Sequence, residues 1–283
     1  MAITNFIPEV WAAQLLVSLK KSLVYGQAGV VNRDYEGEIS QYGDTVHITN
    51  IVQPTIGDYT AHTDITVEEL DDDTRALVID QSKYFAFEVD DIEKRQARSD
   101  VQAEGASESA YGLRDVADQY IAGLMNTDVD AGNQLGELTL ADTQVYDEML
   151  IPMSVRLDEE NVPAEGRWLV VSPAVHGELL KDDRFVRADA SGSTAGLRNA
   201  FIGRAAGFDI LKSNNTPAGA ATGRVQIAGY PGAFSYAEQI NNVEAFRVEK
   251  RFADALKGLH LYGAKTVRPT GLVTADVTVG GGS

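Results

Sequence analysis

The chain lacks cysteine, so disulfides, thiolate metal ligands and cysteine nucleophiles are excluded. Basic residues are few: 24 Lys and Arg stand against 42 Asp and Glu, a formal net charge of -18. Strong binding to a phosphate backbone needs cationic side chains, so this balance argues against a nucleic-acid reader. No apolar run approaches the roughly 18 residues of a membrane helix, and the first residues lack the features of a signal peptide. These absences predict a protein made and kept in a cytoplasm.

Motifs for catalysis and ligand binding are also missing. The sequence has no GxSxG elbow, no phosphate loop ending in GK[ST], and no GxGxxG motif between a strand and a helix. The carboxylates from Glu68 to Asp73 could hold a hard cation, but they lack EF-hand spacing, and a solvated or salt-bridging loop is the alternative. Metal-site spacing is likewise absent from the histidines His47, His62, His176 and His260. The sequence therefore predicts no catalytic, cofactor-binding or metal site.

The longest helical pattern runs from Asp90 to Met125. Asp90 and Glu93 form an acidic variant of the capping box, which predicts the start of a helix. Gly105 is a predicted break in it. Small and apolar residues recur at helical spacing along one face, at Ala106, Ala110, Leu113, Ala117, Ile121 and Leu124. A face of this kind allows close approach of another backbone, so we predict that the helix packs on a sheet.

An extended hairpin is predicted ahead of this helix. Alternating residues from Thr45 to Val52 indicate one strand, and β-branched and aromatic residues from Arg75 to Val89 indicate the return strand. The segment between them is polar and acidic and offers little apolar cover. A two-stranded ribbon is only marginally stable alone in water, so we expect it to rest on another surface, such as a neighbouring subunit.

The remaining pattern predicts a mixed α+β region and then a second hairpin. We predict helices over 143–157 and 174–181, strands over 168–171, 208–211 and 225–228, and a loop over 189–196 followed by a short helix over 197–202. Two long strands over 243–252 and 259–267, joined by 253–258, are predicted to supply the surface for the long helix. The Gly-rich end is predicted to be a flexible tail.

The order of these parts resembles the tailed-bacteriophage major capsid proteins that have the Hong Kong 97-like fold. The resemblance extends over nearly the whole chain, and it depends on the order and spacing of several segments rather than on one motif. The segments are FIPEVW (6–11), RDYEGEISQYGDTVHI (33–48), KYFAFEVDDIEKRQA (83–97), IGRAAGFDILKSNNTP (202–217) and RFADALKGLHLYGAKTVRP (251–269).

The resemblance implies an α+β capsid fold with a definite domain organisation. The implied parts are an N-terminal arm (1–42), an extended loop (43–89), a peripheral domain with the long spine helix (90–128 and 237–275), an axial domain (129–236) and a flexible tail (276–283). In such proteins the axial domains meet around five- and six-fold axes, and the extended loop lies across the adjacent subunit. These are heterologous contacts that close into rings.

The implied function is that of a structural, non-enzymatic subunit, which forms pentamers and hexamers of itself in an icosahedral shell around double-stranded DNA. The implied location is the virion, after assembly in the bacterial host cytoplasm. The implied partners are a separate scaffolding protein, a portal and a decoration protein, with no cofactor, no membrane and no sequence-specific DNA binding. No lysine–asparagine crosslink is predicted, since no motif fixes which residues would meet.

Charge alone suggests which residues hold neighbouring subunits together. The proposed acidic side is Asp64, Glu68, Glu69, Asp71, Asp72 and Asp73, and the proposed basic side is Arg247, Lys250 and Arg251. Two other functions stay open at this point. One is an encapsulin-like compartment shell, which would bind a cargo peptide. The other is a metal-dependent enzyme that uses the acidic clusters.

Overall fold

The computed structural model describes residues 24–35, 43, 45–51, 72–90, 101–140, 144–182, 203–220, 222–248 and 252–280. The helices are α1 (Val101–Asp128), α2 (Ile151–Glu159, which continues π-helical residues Val145–Leu150) and α3 (Pro173–Lys181). The strands are β1 (Thr45–Ile51), β2 (Asp72–Val78), β3 (Gln81–Asp90), β4 (Gln134–Leu140), β5 (Trp168–Val171), β6 (Arg204–Ala205), β7 (Phe208–Lys212), β8 (Arg224–Gly229), β9 (Phe234–Arg247), β10 (Ala253–Thr266) and β11 (Leu272–Val279).

A three-stranded antiparallel sheet has the order β3-β10-β9, and α1 packs on one of its faces. Ala110 and Ala106 of α1 meet Phe85, Phe87 and Leu256 of the sheet. Towards its C-terminal end, α1 buries Ala117, Ile121 and Met125 in the main core. The prediction that the small face of the long helix packs on a sheet is confirmed.

A six-stranded mixed sheet has the order β4-β11-β8-β5-β7-β6. Its central strand β5 is buried along its whole length: Trp168 and Val170 face the core that includes α1, while Leu169 and Val171 face the core with α2 and α3. Burial on both faces explains the continuous apolar sequence of this strand, WLVV. Ser172 caps α3 by accepting a hydrogen bond from the Val175 amide at 3.4 Å, and Pro173 occupies the first turn.

A segment without regular secondary structure, residues 24–35, crosses the junction of α1 and the three-stranded sheet, and we call it the strap. Its side chains Tyr25, Val30 and Val31 are fully buried in the main core. Its backbone joins the start of β9, since the Asn32 amide donates to the Phe234 carbonyl and the Tyr236 amide donates to the Asn32 carbonyl, both at 2.9 Å.

The pairing of β1 with β2 confirms the base of the predicted hairpin, and we call this pair the ribbon. The predicted return strand over 75–89 is divided, however. Its first part belongs to the ribbon, whereas β3 is paired with β10 in the three-stranded sheet. The division at Ile79 and Asp80 is where the chain passes from one sheet to the other.

One prediction about the start of the long helix stays untested and one is wrong. Asp90 is the last residue of β3, opposite Ala253, and the predicted helix start after it lies outside the described residues. Gly105 lies inside the continuous helix α1 rather than at a break. A Cβ on Gly105 would lie 3.0 Å from the Phe87 ring, so this glycine permits close packing of helix and sheet.

The structure also corrects the C-terminal boundaries. Residues 253–258, predicted to join two strands, are part of β10, and β9 begins at Phe234. Residues 276–279, predicted as flexible tail, belong to β11, which lies between β4 and β8. The predicted loop over 189–196 and the short helix over 197–202 lie outside the described residues.

Candidate assembly surfaces

The three-stranded sheet exposes apolar side chains on the face opposite α1. We call this the outward face and define it by exposed residues of its strands: Tyr84, Ala86, Glu244, Phe246, Lys257 and Leu259. Tyr84 is 79% exposed and Phe246 45% exposed. Tyr84 and Leu259 lie directly opposite each other on β3 and β10. Contiguous exposed aromatic surface of this kind is typical of an interaction site.

A groove of about 430 Å³ runs across this face between Tyr84, Leu259 and Lys257. Gly258 also lines it, but a Cβ on this glycine would point to the face that packs on α1, where it would lie 2.3 Å from the Phe85 ring. The register of β10 against β9 shifts between Gly258 and Leu259, which re-aims the side chains along the groove. The groove thus lies where the pairing of β10 is locally irregular.

The charges on the outward face are paired with each other. Lys257 Nζ lies 2.8 Å from Glu244 Oε2 and 5.3 Å from the centre of the Phe246 ring. Both charged side chains are 53% exposed, so the pair contributes little to folding stability. The face therefore combines apolar contact area with charges that remain accessible to a partner.

The ribbon is fixed to the sheet at its base. Val46, Ile48, Leu77 and Ile79 form a buried apolar cluster with neighbouring residues of β9 and β10. The Gly43 amide donates to the Ile79 carbonyl at 3.0 Å, which closes the base. The base of the ribbon is therefore positioned by its own chain.

A buried polar network lies where the strap crosses β9 and β10. Arg33 forms an ion pair with Glu238, and His260 Nε2 lies 3.1 Å from the other carboxylate oxygen of Glu238. Burial alone would raise the pKa of Glu238, but the His260 hydrogen bond and the Arg33 charge outweigh it and lower the pKa to about 2. The Tyr236 hydroxyl donates to the same carboxylate at 2.9 Å. Glu238 is therefore an ionised anchor inside the fold.

Most of the residues proposed from charge lie outside the described part of the chain: Asp64, Glu68, Glu69, Asp71, Lys250 and Arg251. Asp72 and Asp73 lie on β2, opposite Ile51 and Asn50. Arg247 ends β9, and its Nη1 lies 3.2 Å from Asp254 Oδ1 of the same chain. A role for these residues between subunits stays a prediction.

Sequence reasoning missed the residues of the outward face. The signal for Tyr84 was present in KYFAFEV, where Phe85 and Phe87 alternate with Tyr84 and Ala86. In a strand, that alternation separates residues that face the helix from residues that face outward. Leu259 and Phe246 gave no such signal, because the strand pairing that places Leu259 opposite Tyr84, and Phe246 opposite Ala255 on the same face, depends on the tertiary structure.

The structure offers no sign of two other kinds of site within its described residues. No group of His, Asp and Glu side chains there is arranged to hold a metal ion. No helix among them is long and apolar enough to span a membrane.

Comparison with known proteins identifies the family. A family model described as phage capsid protein matches residues 72–275. A solved structure from Mycobacterium phage Che8 is 33% identical, with a TM-score of 0.76 over 89% of this chain and 90% of that one. The capsid structure of cyanophage P-SCSP1u is 14% identical, with a TM-score of 0.70 over 86% of this chain and 85% of that one. The mature capsid of bacteriophage PhiM1 is 19% identical, with a TM-score of 0.61 over 83% and 82%.

No curated protein sequence shows a significant match to the chain. The family match covers most of the sequence, and the structural matches extend over both large sheets. Family and fold imply a structural rather than an enzymatic role. The chain therefore belongs to the phage capsid protein family, as a major capsid protein of the tailed-bacteriophage type with the Hong Kong 97-like α+β fold.

Proposed function

We propose that this chain is the repeating subunit of an icosahedral shell, in which copies assemble through pentamers and hexamers around the double-stranded DNA of a phage. The observation that carries the proposal is the outward face, an exposed apolar and aromatic surface on a sheet whose other face is covered by α1. Each subunit thus offers one surface that needs a partner, and the segment that joins the ribbon strands can supply it, which is the arrangement of a heterologous contact.

The occupant of the outward face is residues 52–71 of a neighbouring copy. This segment connects the two strands of the ribbon and contains five carboxylates, at 58, 64, 68, 69 and 71, but no lysine or arginine. Lys257 on the outward face is accessible and has only one close carboxylate partner among the described residues, at Glu244. Opposite charge favours this pairing and sets its register, while Tyr84 and Leu259 supply the apolar area.

Assembly takes place in the host cytoplasm with a separate scaffolding protein, and the finished shell carries a portal and a decoration protein. The chain acts without a catalytic step. Its net charge of -18 means that contact with the packaged DNA is weak or local and independent of sequence.

The size and shape of the particles that the chain forms test this proposal directly. We would express the full chain with and without its neighbouring genes and examine it by light scattering on a sizing column and by negative-stain imaging. Closed shells, or rings of five and six subunits, are the expected result. A monomer that stays monomeric with every scaffold candidate would overturn the proposal. Nucleic acid inside particles from infected cells supports a capsid, whereas an enzyme cargo would indicate a compartment shell.

The outward face is tested by Tyr84→Ser and Leu259→Ser. Both side chains are exposed, so we expect soluble, folded subunits that no longer form particles. Tyr111→Ser is the matched control, since Tyr111 is also an exposed tyrosine, 54% accessible, but lies on α1. If the Tyr84 and Leu259 variants assemble as well as the control, the outward face is not a subunit contact.

A further inference from the structure

Four strands form the edges of the two larger sheets, and three of them are poorly suited to further pairing. β6 is only two residues long. β4 contains an extra residue in its pairing with β11, next to Gly136, whose φ is 76°. β9 contains an extra residue at Asn242, and its first residues are already joined to the strap. Short edge strands and bulges are devices by which natural sheets resist pairing with another chain.

The fourth edge strand, β3, has none of these devices. Its ten residues pair with β10 in one uninterrupted register. The strand contains no proline, and residues 84–87 at its centre carry no charge. Among the residues that the structure describes, no strand pairs with its other edge. An open, regular edge about 33 Å long is a template for pairing with another chain.

The packing above the β3 edge is incomplete. Phe85 and Phe87 point towards α1 and stack on each other, with their ring centres 6.2 Å apart. Both rings are only half-buried, whereas Ala110 and Leu256, which they pack against, are buried. The apolar cluster is thus open on the side where the sheet ends at β3. Another strand at this edge would complete its cover.

α1 runs antiparallel along this edge. The Tyr120 hydroxyl donates to Asp80 Oδ1 at 3.3 Å, just before β3 begins, and Gly105 lies against the Phe87 ring near the end of β3. These two contacts are about 23 Å apart along either element, at the usual rises of a helix and a strand. Since α1 also packs on Leu256 of β10, its axis lies between β3 and β10.

Small residues form the flank of α1 above the β3 edge. Gly105, Ser109, Gly112 and Val116 recur at helical spacing, and the last two are exposed. A Cβ on Gly112 would meet nothing within 4 Å. Because the distance between packed helices depends on the side chains at their contact, this flank allows a second helix to approach closely.

We infer that the β3 edge is a two-fold interface, where β3 of a second copy pairs antiparallel with it and the two Ala86 residues meet at the axis. The pairing joins two three-stranded sheets into one sheet of six strands. A two-fold axis perpendicular to the sheet keeps α1 of both copies on the same face. With strands about 4.8 Å apart, the axes of the two helices lie about 10 Å apart, a usual distance for packed helices.

The sequence of β3 is complementary to itself in this register. Phe85 lies opposite Phe87 of the second copy, so the stacked pairs of rings continue across the axis beneath the helices. On the other face, Tyr84 lies opposite Glu88 of the second copy. Lys83 lies opposite an apolar residue. No like charges are therefore opposed, and the half-buried rings of each copy cover those of the other.

In a shell, this interface would connect neighbouring rings, and this step rests on the proposed function. The heterologous contact between the outward face and residues 52–71 closes a ring but does not join one ring to the next. A two-fold contact between copies of different rings supplies that connection. Residues 52–71 are a poorer occupant of the edge itself, because Pro54 and Gly57 disfavour a paired strand.

Engineered disulfides test the pairing, and since the chain has no cysteine, any cross-link comes from the introduced residue. Directly opposite residues of antiparallel strands have Cα atoms about 4.5–5.5 Å apart, which suits a disulfide. We expect Ala86→Cys to form covalent dimers under mild oxidation, both in the concentrated unassembled chain and in particles.

Ser82→Cys is the matched control for the cross-link. Ser82 and Ala86 are both exposed on the same face of β3. In the proposed register, however, Ser82 lies about 26 Å from Ser82 of the second copy, too far for a disulfide. The yield of dimer should be at least about tenfold higher for Ala86→Cys than for this control.

Gly112→Phe, added to Ala86→Cys, tests the approach of the two helices. The new side chain begins in open space in the single chain, so the subunit should fold, but its ring would hold a second helix away. We expect the yield of dimer to fall at least about fivefold. Tyr111→Ser in the same background is the control, since Tyr111 is exposed on α1 but lies outside the row of small residues.

The interface is overturned if Ala86→Cys gives no more dimer than Ser82→Cys, or if Gly112→Phe leaves the yield unchanged. Cross-linking of the unassembled chain does not require particles, so the two proposals fail separately. Cross-linked dimers that never form shells would support the interface and overturn the proposed function. Shells without the cross-link would support the proposed function and overturn the interface.

Discussion

The central strands β5 and β8 of the six-stranded sheet are covered on both faces, whereas the three-stranded sheet has α1 on one face and exposed aromatic side chains on the other. The difference is visible strand by strand. All of β5 is buried, but β3 alternates, with Phe85 and Phe87 towards the helix and Tyr84 and Ala86 outward. One sheet is stabilised within the chain, and the other keeps a face for a neighbour. Mutations in the two sheets should therefore have different consequences.

The largest expected effect is at the centre of the six-stranded sheet. Trp168→Ala removes the largest fully buried side chain from the main core and should lower the free energy of unfolding by about 3–5 kcal/mol. Chemical denaturation would measure it. Trp168→Phe is the control and should cost less, because the indole nitrogen has no hydrogen-bond partner among the described residues. An unfolding free energy unchanged by Trp168→Ala would contradict the two-sided core.

The next effect is at the junction of the strap and the three-stranded sheet. Glu238→Gln removes a carboxylate whose pKa is lowered from 4.5 to about 2. A lowered pKa means that the stabilisation is present above pH 4.5 and is lost as the pH falls towards 2. We expect a loss of about 3 kcal/mol at neutral pH.

Denaturation of wild type and Glu238→Gln across this pH range provides the measurement. The two stability curves should converge as the pH approaches 2. A constant difference between them at every pH would show that the glutamate contributes through packing and not through charge.

A smaller effect is expected at the base of the ribbon. A Cβ on Gly263 would lie 2.3 Å from the Val78 carbonyl oxygen and 3.0 Å from Ile79 Cα, so Gly263→Ala forces the ribbon away from β10. We expect a loss of roughly 1–3 kcal/mol, with faster hydrogen exchange in β1 and β2. Gly177→Ala in α3 is the control. Its Cβ would meet nothing within 4 Å, and it should stabilise by about 0.5–1 kcal/mol. If hydrogen exchange in β1 and β2 does not change, Gly263 is not the place where the ribbon contacts β10.

The smallest effect on folding is expected at the outward face. Tyr84→Ser replaces a side chain that is 79% exposed, so the free energy of unfolding of the unassembled subunit should change by less than about 0.5 kcal/mol. Thermal or chemical denaturation of the unassembled chain would measure it. A large loss of stability would mean that the outward face packs against its own chain, and the contrast between the two sheets would then disappear.

Much of the fold could be predicted because local pattern and tertiary structure agree. The small and apolar residues Ala110, Ala117 and Ile121 recur at helical spacing and do face a sheet. The strand WLVV was predicted at its observed position. In each case the sequence period matches the side of the element that is buried, and no distant contact is needed to recognise it.

The strand over 253–266 was misplaced because its first residues are poor strand formers in isolation. Ala253 to Gly258 include alanine, aspartate and glycine, which are all depleted in strands, and aspartate and glycine are also common in turns. They are extended because β3 and β9 pair with them on both sides. Tertiary packing requires a glycine at position 258 of this strand, because the Phe85 ring occupies the space where a side chain would lie.

The candidate site could be predicted only in part, because its parts are distant in sequence. The pair of Arg33 and Glu238 joins positions 205 residues apart, and charge pattern alone cannot select that partner. The hydrogen bond from the Val24 amide to the Asp118 carboxylate likewise joins positions 94 residues apart. The acidic segment that connects the ribbon strands was recognisable by composition, whereas the surface proposed to receive it required the three-dimensional arrangement of β3, β9 and β10.

The position of β11 has a consequence for the timing of synthesis. It is the last strand in chain order, yet it lies between β4 and β8 and pairs with both. A nascent chain that has not yet released residues 272–279 from the ribosome cannot join β4 to the rest of the sheet. The subunit therefore completes its six-stranded sheet only after residues 272–279 have left the ribosome, so a finished copy cannot meet another before that point.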